Sequence, residues 1–205
     1  MSPSDPKASK RDKALAARRR KILEAAVMCF LENGYHQTGV RDIATRAGVS
    51  LGNLYNHFPG KHDVLVEIAD LERAEMEPFI KQLNKPGSAP KRFDRFVASY
   101  AKYLSAPENV ILSIEITSEA LRKDDLAALF TDNRQALIDA LAQLLARGVQ
   151  SGDFRPQTDM VDVAHMVLEL IEGRAYHSVL DGTPMRKLQP GLEAFLRNAL
   201  GVSER

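Results

Sequence analysis

The segment from Thr38 to Lys61, TGVRDIATRAGVSLGNLYNHFPGK, most strongly constrains what this 205-residue chain can fold into. It predicts two short helices joined by a tight turn. Apolar residues at helical spacing indicate the first helix, with Thr38 as its N-cap. Gly48 ends this helix, because glycine adopts a positive φ without strain after a helix C-terminus. Ser50 then caps a second helix, predicted over Leu51–Phe58.

The second helix carries hydrogen-bonding side chains and no acidic residue. An asparagine such as Asn53 or Asn56 can pair with adenine through two hydrogen bonds, and Tyr55 can reach a phosphate oxygen. Gly52 permits close approach of the backbone to DNA. The pattern therefore indicates a helix-turn-helix whose second helix enters a major groove. A polar surface helix without a partner is the alternative that the spacing leaves open.

Charge is distributed unevenly along the chain. The whole chain has a formal net charge of +1, but residues 1–62 contain 11 Lys and Arg against 5 Asp and Glu, so the remainder carries a net charge of −5. A basic N-terminal part on an acidic body is typical of an N-terminal nucleic-acid binder. The arginines at 18–20 begin the first predicted helix, where the helix dipole disfavours cations. Phosphate is therefore their expected partner, and a solvated charged face is the alternative.

Several classes of site and function have little support in the sequence. The single cysteine, Cys29, excludes an intrachain disulfide and is expected to be a buried, inert thiol. No apolar run approaches the about 20 residues that span a bilayer, and the N-terminus lacks the apolar core of a signal peptide, so we expect a cytoplasmic protein. No phosphate-binding, serine-hydrolase or zinc-protease motif occurs, and we expect no cofactor, no metal and no enzymatic activity.

One group of side chains could in principle bind a divalent metal. His165, Glu169 and Glu172 fall at helical spacing and share one face of a helix. Three potential ligands without a fourth more often form a polar seam at an interface, which is the favoured interpretation. Catalysis by residues that only the fold brings together also stays open.

The rest of the chain has helical patterns throughout. Residues 1–13 are polar, basic and proline-bearing, and they predict a disordered arm that could follow the minor groove. Val110–Ile116 alone could form a strand, but the Glu-Ala-Leu ending of this segment favours a helix. Pro78 is expected to kink or end its helix. The predicted helices outside the segment already described are Ala16–Asn33, Lys61–Leu83, Phe93–Leu104, Val110–Leu121, Asp125–Gln150, Met160–Leu180 and Leu188–Leu200.

The N-terminal part contains an ordered set of residues that matches one known family. These residues are Arg20 to Ala26, Phe30, Gly34-Tyr35, Arg41-Asp42-Ile43-Ala44, Ala47-Gly48-Val49-Ser50, Leu54-Tyr55, His57-Phe58 and Lys61. At these positions the chain resembles the TetR family of ligand-responsive transcriptional regulators. The resemblance covers about residues 19–71, because the second domain of this family varies in sequence. It implies an all-α protein with a helix-turn-helix DNA-binding domain of three helices at residues 14–60, followed by a helical effector-binding and dimerisation domain at residues 61–205.

The same resemblance implies how the protein acts. The chain is expected to form a homodimer through its last two helices, at about residues 160–180 and 188–200. Two-fold symmetry would then pair the recognition helices with a palindromic double-stranded DNA operator. Family precedent favours a repressor that a small-molecule effector releases from DNA.

Roles for individual side chains follow from the matching positions. Arg41 would reach a guanine from the helix before the turn, and Leu51 could touch a thymine methyl group. Asn53 and Asn56 are the expected base readers. The full predicted DNA-contacting set comprises the groove-facing Arg41, Leu51, Gly52, Asn53 and Asn56, the helix cap Ser50, and the phosphate contacts Thr38, Tyr55, His57 and Lys61.

The central helices supply the expected effector pocket. Aromatic residues mixed with two carboxylates would suit an amphipathic or cationic ligand. The alternative is that the aromatic residues are ordinary core and that the glutamates pair with Arg122 or Arg174. The predicted pocket residues are Phe93, Phe96, Tyr100, Ile111, Glu115, Glu119, Phe130, Met166 and Tyr176.

Two functions of other classes remain as alternatives at this stage. One is a small enzyme that uses the body pocket and keeps the DNA-binding head as a relic. The other is a DNA organiser without an effector, which would lose little affinity when its binding site is scrambled.

Overall fold

The computed structural model describes residues 6–202, which form α-helices joined by short loops. This part of the chain contains no strand, so the prediction of an all-α protein is confirmed. Its helices are α1 (Pro6–Asn33), α2 (Val40–Ala47), α3 (Leu51–Tyr55), α4 (Lys61–Asn84), α5 (Ala89–Tyr103), α6 (Pro107–Ala120), α7 (Asp124–Gln150), α8 (Met160–Asp181) and α9 (Met185–Ala199).

The chain divides into two compact units, and the boundary between Leu71 and Glu72 lies within α4. The sequence placed the domain boundary earlier, at the start of this helix. The N-terminal unit packs α1, α2, α3 and the first part of α4 around fully buried side chains such as Phe30, Ile43 and Leu65. Within α1, α2 and α4, buried apolar positions recur at helical spacing, so one apolar face of each helix turns inward.

The turn between α2 and α3 has the predicted stop and start signals. Gly48 has φ 62° and ψ 39°, in the left-handed region that glycine adopts without strain. The Ser50 hydroxyl oxygen accepts a hydrogen bond from a backbone amide in the first turn of α3, at 3.2 Å. The cap of α2 was predicted wrongly: it is Gly39, whose backbone N–H donates to Asp42 Oδ2 at 2.7 Å, whereas Thr38 is buried.

Two helix ends in this unit also differ from the prediction. Helix α3 ends at Tyr55 rather than Phe58, because the next residues turn back and donate their amides to the carbonyl of Leu54. Helix α1 begins at Pro6 rather than Ala16, which corrects the predicted disordered arm between residues 6 and 13. The first five residues of that arm lie outside the described part of the chain.

The second unit packs α5 among α7, α8 and α9, and α6 lies against α7 and α8. Its core includes Phe93 and Phe96 on α5, Leu141 on α7 and Leu168 on α8, all fully buried. The segment that could have been a strand lies in α6, so the choice of a helix was correct. Helix α4 continues through Pro78 to its end, so this proline does not end it.

Candidate functional site

Helix α3 and its caps present a small polar surface, where the backbone of Gly52 and several hydrogen-bonding side chains are accessible. Ser50, Gly52 and Asn56 are exposed, and 49% of the Tyr55 side-chain surface is accessible. Leu51 is half-buried beside them, and Leu54 on the opposite face is fully buried. One face of the helix is thus held by the core, and the other is free to enter a groove of DNA.

The two predicted base readers differ in their accessibility. Asn56 is exposed, whereas Asn53 is half-buried and its Oδ1 atom is buried without a hydrogen-bond partner. A bidentate contact with adenine needs both the oxygen and the nitrogen of the amide. Asn53 must therefore rotate its side chain before it can make that contact, while Asn56 can make it directly.

Arg41 lies exposed near the start of α2, as a base contact from the helix before the turn requires. Thr38 does not meet the expectation of a phosphate contact. Only 2% of its surface is accessible, and its hydroxyl lies within hydrogen-bonding distance of the carbonyl oxygens of Cys29 (3.1 Å) and Gly34 (2.8 Å). Its side chain ties α1 to the loop that follows and is not available to DNA.

Lys61 and His57 are half-buried rather than freely exposed. The Lys61 ammonium donates to the carbonyl oxygen of Tyr35 at 2.5 Å and lies 4.2 Å from the centroid of the Tyr35 ring. The carbonyl oxygen of His36 lies 3.4 Å from the same ammonium. Lys61 thus stabilises the loop after α1, a role that its position in the sequence did not indicate.

The arginines at 18–20 lie in the middle of α1 rather than at the start of a helix, and their contacts differ. Arg18 and Arg20 are exposed, and Arg20 pairs with Glu24 one turn along the same helix at 2.9 Å. Arg19 instead contacts Glu67 of α4 at 2.7 Å and donates to the carbonyl oxygen of His57 at 2.8 Å. The expectation that all three arginines face phosphate is therefore wrong for Arg19.

A cavity of about 440 Å³ lies within the second unit, between α4, α5, α6, α7 and α8. Its wall is mainly apolar and aromatic, with a few polar groups, as in most small-molecule sites. The ionisable side chains on the wall are those of Glu72, Tyr100, Tyr103, Arg134, Glu169, Glu172 and Tyr176.

The predicted pocket residues differ in where they lie. Tyr100, Phe130 and Tyr176 line the cavity, and their contact with an effector stays a prediction. The other six have different surroundings. Phe93 and Phe96 are fully buried core, Glu119 is buried, Ile111 and Glu115 are half-buried, and Met166 is exposed, and none of these six lines the cavity.

One end of the cavity contains an ion pair that sequence reasoning missed. Arg134 Nη1 lies 2.6 Å and 2.7 Å from the two carboxylate oxygens of Glu172, and the Tyr100 hydroxyl donates to the same carboxylate at 3.0 Å. Burial is the main reason that the pKa of Tyr100 is raised well above its usual value, so this hydroxyl stays a donor. The partners lie on different helices, and only the fold brings them together.

Glu72 lines the same cavity and is half-buried. Burial, together with the nearby carboxylates of Glu75 and Glu172, raises its pKa to about 7. Among the described residues, no hydrogen bond or ion pair stabilises the ionised form of the Glu72 carboxylate. Glu169 is a third carboxylate on the wall, and Arg134 is the one Lys or Arg there. The wall therefore has more negative than positive charge.

The metal hypothesis has no support in residues 6–202. No group of three or more metal-ligating side chains in this range could hold an ion. Arg134 occupies both carboxylate oxygens of Glu172, so this residue is not available to share a metal with His165 and Glu169.

Comparison with known proteins identifies the family. Residues 22–68 match the model of the bacterial regulatory proteins of the tetR family, and residues 89–200 match the C-terminal domain of BetI-type transcriptional repressors. The chain belongs to the TetR family. It is therefore a DNA-binding transcriptional regulator and not an enzyme, and the TetR resemblance of the N-terminal segment is confirmed.

Relatives and solved structures of the family match most of the chain. The transcriptional regulator RutR of Escherichia coli K12 is 30% identical over 162 residues, 77% of this chain and 72% of its own length. A regulator from Saccharomonospora viridis, solved with choline, has a TM-score of 0.79 at 24% identity and covers 93% of this chain and 100% of its own. FadR of Bacillus subtilis, solved with stearoyl-CoA, has a TM-score of 0.75 at 22% identity and covers 88% and 98%.

Within residues 6–202, none of the helices combines the length and apolar character that crossing a membrane requires.

Proposed function

We propose that this TetR-family regulator is a repressor that binds a palindromic operator as a homodimer and is released by a small-molecule effector. The capped, outward-facing helix α3 is the observation that carries the proposal. It exposes Gly52, Tyr55 and Asn56 on a unit that the family model also matches. The cavity in the second unit supplies a place for the effector, and members of the family respond to ligands of this kind.

In this proposal, Asn56 and Arg41 read bases in the major groove, and Tyr55 contacts a phosphate oxygen. Asn53 joins the base readers after its amide has turned outward. Gly52 allows the backbone to approach DNA, because no side chain intervenes and nothing lies within 4 Å of the position that a Cβ would take. Phosphate contacts fix the position of the protein, and base contacts supply the sequence preference.

The homodimer is supported by an apolar surface on the last two helices. Met166, Leu170 and Leu180 on α8 are exposed, and so is Phe195 on α9, with 67% of Leu180 and 59% of Phe195 accessible. Large exposed apolar patches often mark interaction sites, and Met166, Leu170 and Leu180 fall on one face of α8 by their helical spacing. A second copy that presents the same surface covers it under two-fold symmetry. The two copies of α3 then face successive turns of the operator.

The effector is a small organic cation in this proposal. Arg134 neutralises Glu172, which leaves Glu72 and Glu169 as carboxylates on a wall that includes Tyr100 and Tyr103. Aromatic faces attract cations, and an unpaired carboxylate within such a cavity gains most from a positive ligand. The S. viridis regulator, which was solved with choline, is consistent with this class of ligand.

Effector binding changes DNA affinity only if the ligand prefers one conformation of the protein over the other. The cavity is lined partly by Glu72 of α4, and α4 also supplies Lys61 and Glu67 to the DNA-binding unit. A cation that favours one position of α4 would therefore favour one state of the regulator.

Calorimetry of the full-length protein tests the effector class. Choline serves as the cationic probe, and 3,3-dimethyl-1-butanol is its uncharged isostere. We expect the cation to bind at least about tenfold more tightly and to lower affinity for the operator. Stearoyl-CoA provides an anionic comparison that the negative wall should reject. Equal binding of the cation and its isostere would contradict a charge-selective cavity.

A further inference from the structure

Arg19 contacts two other parts of the N-terminal unit from its position on α1. Its Nε atom donates to Glu67 Oε1 at 3.1 Å, and its Nη2 atom donates to Glu67 Oε2 at 2.7 Å. The third nitrogen, Nη1, donates to the carbonyl oxygen of His57 at 2.8 Å. The guanidinium carbon also lies 4.2 Å from the centroid of the Phe58 ring. One side chain thus connects α1, α4 and the residues that follow α3.

The contacts of Arg19 with His57 and Phe58 act on the end of the recognition helix. Both residues donate their backbone amides to the carbonyl of Leu54 within α3, at 2.9 Å and 3.0 Å. Phe58 is almost fully buried. The position of these two residues therefore determines where the last turn of α3 lies, and with it the exposed Tyr55 and Asn56.

The geometry of the contact requires an arginine and a carboxylate. The planar guanidinium forms two parallel hydrogen bonds with Glu67 and still has a nitrogen for the carbonyl oxygen. A lysine at this position keeps the charge but cannot make all these contacts at once. The hydrogen bonds from Arg19 lower the pKa of Glu67, so this carboxylate stays ionised at neutral pH.

We propose that Arg19 is a positioning residue that ties the end of the recognition helix α3 to α4 through Glu67. The inference deepens the proposed function and rests on it, since it concerns how operator affinity depends on α4. The alternative role for Arg19 is a direct phosphate contact, which the sequence alone predicted. In that case, Glu67 would merely weaken DNA binding through its negative charge.

The two roles predict opposite signs for Glu67→Gln. Removing a negative charge near DNA raises affinity if only electrostatics matters. If Arg19 and Glu67 hold the end of α3, breaking their contact lowers DNA affinity instead. We expect a decrease of about tenfold, within the range for breaking a partly buried hydrogen-bond network. The matched control is Glu24→Gln, which breaks the exposed pair between Glu24 and Arg20 on α1 and should leave affinity equal or higher.

Fluorescence anisotropy of the full-length variants on operator DNA and on scrambled DNA measures these affinities at several salt concentrations. Arg19→Lys should weaken binding as Glu67→Gln does, and the salt dependence of both variants should match that of the wild type. A loss of about one unit in the slope of log affinity against log salt for Arg19→Gln would indicate a phosphate contact and overturn the proposal. Unchanged or tighter binding by Glu67→Gln would overturn it as well.

Hydrogen exchange in the free protein separates this inference from the proposed function. If α3 loses its anchor, the amides of residues 54–58 exchange faster in Glu67→Gln than in Glu24→Gln, whether or not an operator is known. Equal exchange in the two variants would overturn the inference. A different outcome would contradict the proposed function alone: the wild-type protein binds operator and scrambled DNA equally, but Glu67→Gln still shows faster exchange. That result would support the positioning role of Arg19.

Discussion

The ammonium nitrogen of Lys61 lies 2.5 Å from the carbonyl oxygen of Tyr35 and 4.2 Å from the centroid of the Tyr35 ring. The first residue of α4 therefore holds the loop that connects α1 with α2. A lysine at a helix N-terminus is disfavoured by the helix dipole, and the carbonyl and the ring offset this cost. Lys61 contributes to the structure of the DNA-binding unit before any DNA is present.

Replacing Lys61 by alanine should lower the free energy of unfolding by about 1–2 kcal/mol, because a charge-assisted hydrogen bond and a cation–π contact are lost together. DNA affinity should fall for all sequences alike. Thermal unfolding and anisotropy measure the two effects. Lys81→Ala is the control, since Lys81 is 67% exposed and pairs with the exposed Glu77 on the same helix. A Lys61→Ala protein as stable as the Lys81→Ala protein would contradict this role.

Asn56 and Tyr55 should affect DNA binding in different ways. Asn56→Ala should change which base is preferred at one operator position and cost about 1–3 kcal/mol on the best operator, because a direct base contact is lost. Tyr55→Ala should weaken binding to every sequence, because a phosphate contact carries no sequence information. Affinities for a panel of single-base operator variants test both. A uniform loss across the panel for Asn56→Ala would remove it from the base readers.

Glu72 makes stability depend on pH with a definite sign. Its pKa is about 7 in the folded protein and about 4.3 in an unfolded chain. Between these values the folded state binds more protons, so the free energy of unfolding falls as pH rises. Glu72→Gln has no carboxylate to ionise, so its free energy of unfolding does not fall in this way. Its stability relative to the wild type should therefore increase by about 1–3 kcal/mol from pH 5 to pH 8.

Denaturant unfolding of the wild type and the variant at pH 5, 6, 7 and 8 measures this difference in stability. Glu77→Gln is the control at an exposed position, and its stability relative to the wild type should not increase over this range. The cationic probe should also bind the wild type more tightly at pH 8 than at pH 6, because ionised Glu72 is the form that attracts it. Glu72→Gln should lose most of this pH dependence. A constant difference in stability across the four pH values would show that Glu72 does not titrate in this window.

The proposed dimer surface can be tested with matched leucine variants. Leu180→Glu places a charge on the exposed surface of α8, where a second copy would bury it, and the chain should become monomeric. Leu121→Glu is the control, because Leu121 is 81% exposed and lies between α6 and α7, outside the last two helices. Sedimentation velocity distinguishes the two states. A Leu180→Glu protein that stays dimeric, or a Leu121→Glu protein that dissociates, would place the interface elsewhere.

The sequence predicted local features well where one residue type carries the signal. Gly48 and Ser50 fix the turn between α2 and α3 through backbone conformation and a single side-chain cap, and both are as predicted. Apolar spacing likewise predicted most helices among the described residues, with errors mainly at the ends, and the Glu-Ala-Leu ending decided the choice of a helix for α6. Such features depend on neighbours within one turn, so they can be read from the chain directly.

Contacts between distant residues were the main source of error. The sequence assigned Arg19 to phosphate from its place in a charge cluster and Lys61 from its matching position in the family, and it gave no sign that each has a partner more than 20 residues away. The choice among aromatic residues on one helix also depends on how that helix packs. Phe96 and Tyr100 lie one turn apart on α5, yet only Tyr100 reaches the cavity, because its helix packs with Phe96 turned toward the core.

The central claim is that this chain recognises one DNA sequence through α3. The most direct test is the affinity of the purified full-length protein for DNA from the region upstream of its own gene, compared with a scrambled duplex of the same composition at one fixed salt concentration. A specific regulator should prefer the native sequence by about a thousandfold, with a palindromic footprint. Equal affinity for both duplexes, under conditions in which the protein is folded and dimeric, would contradict the claim.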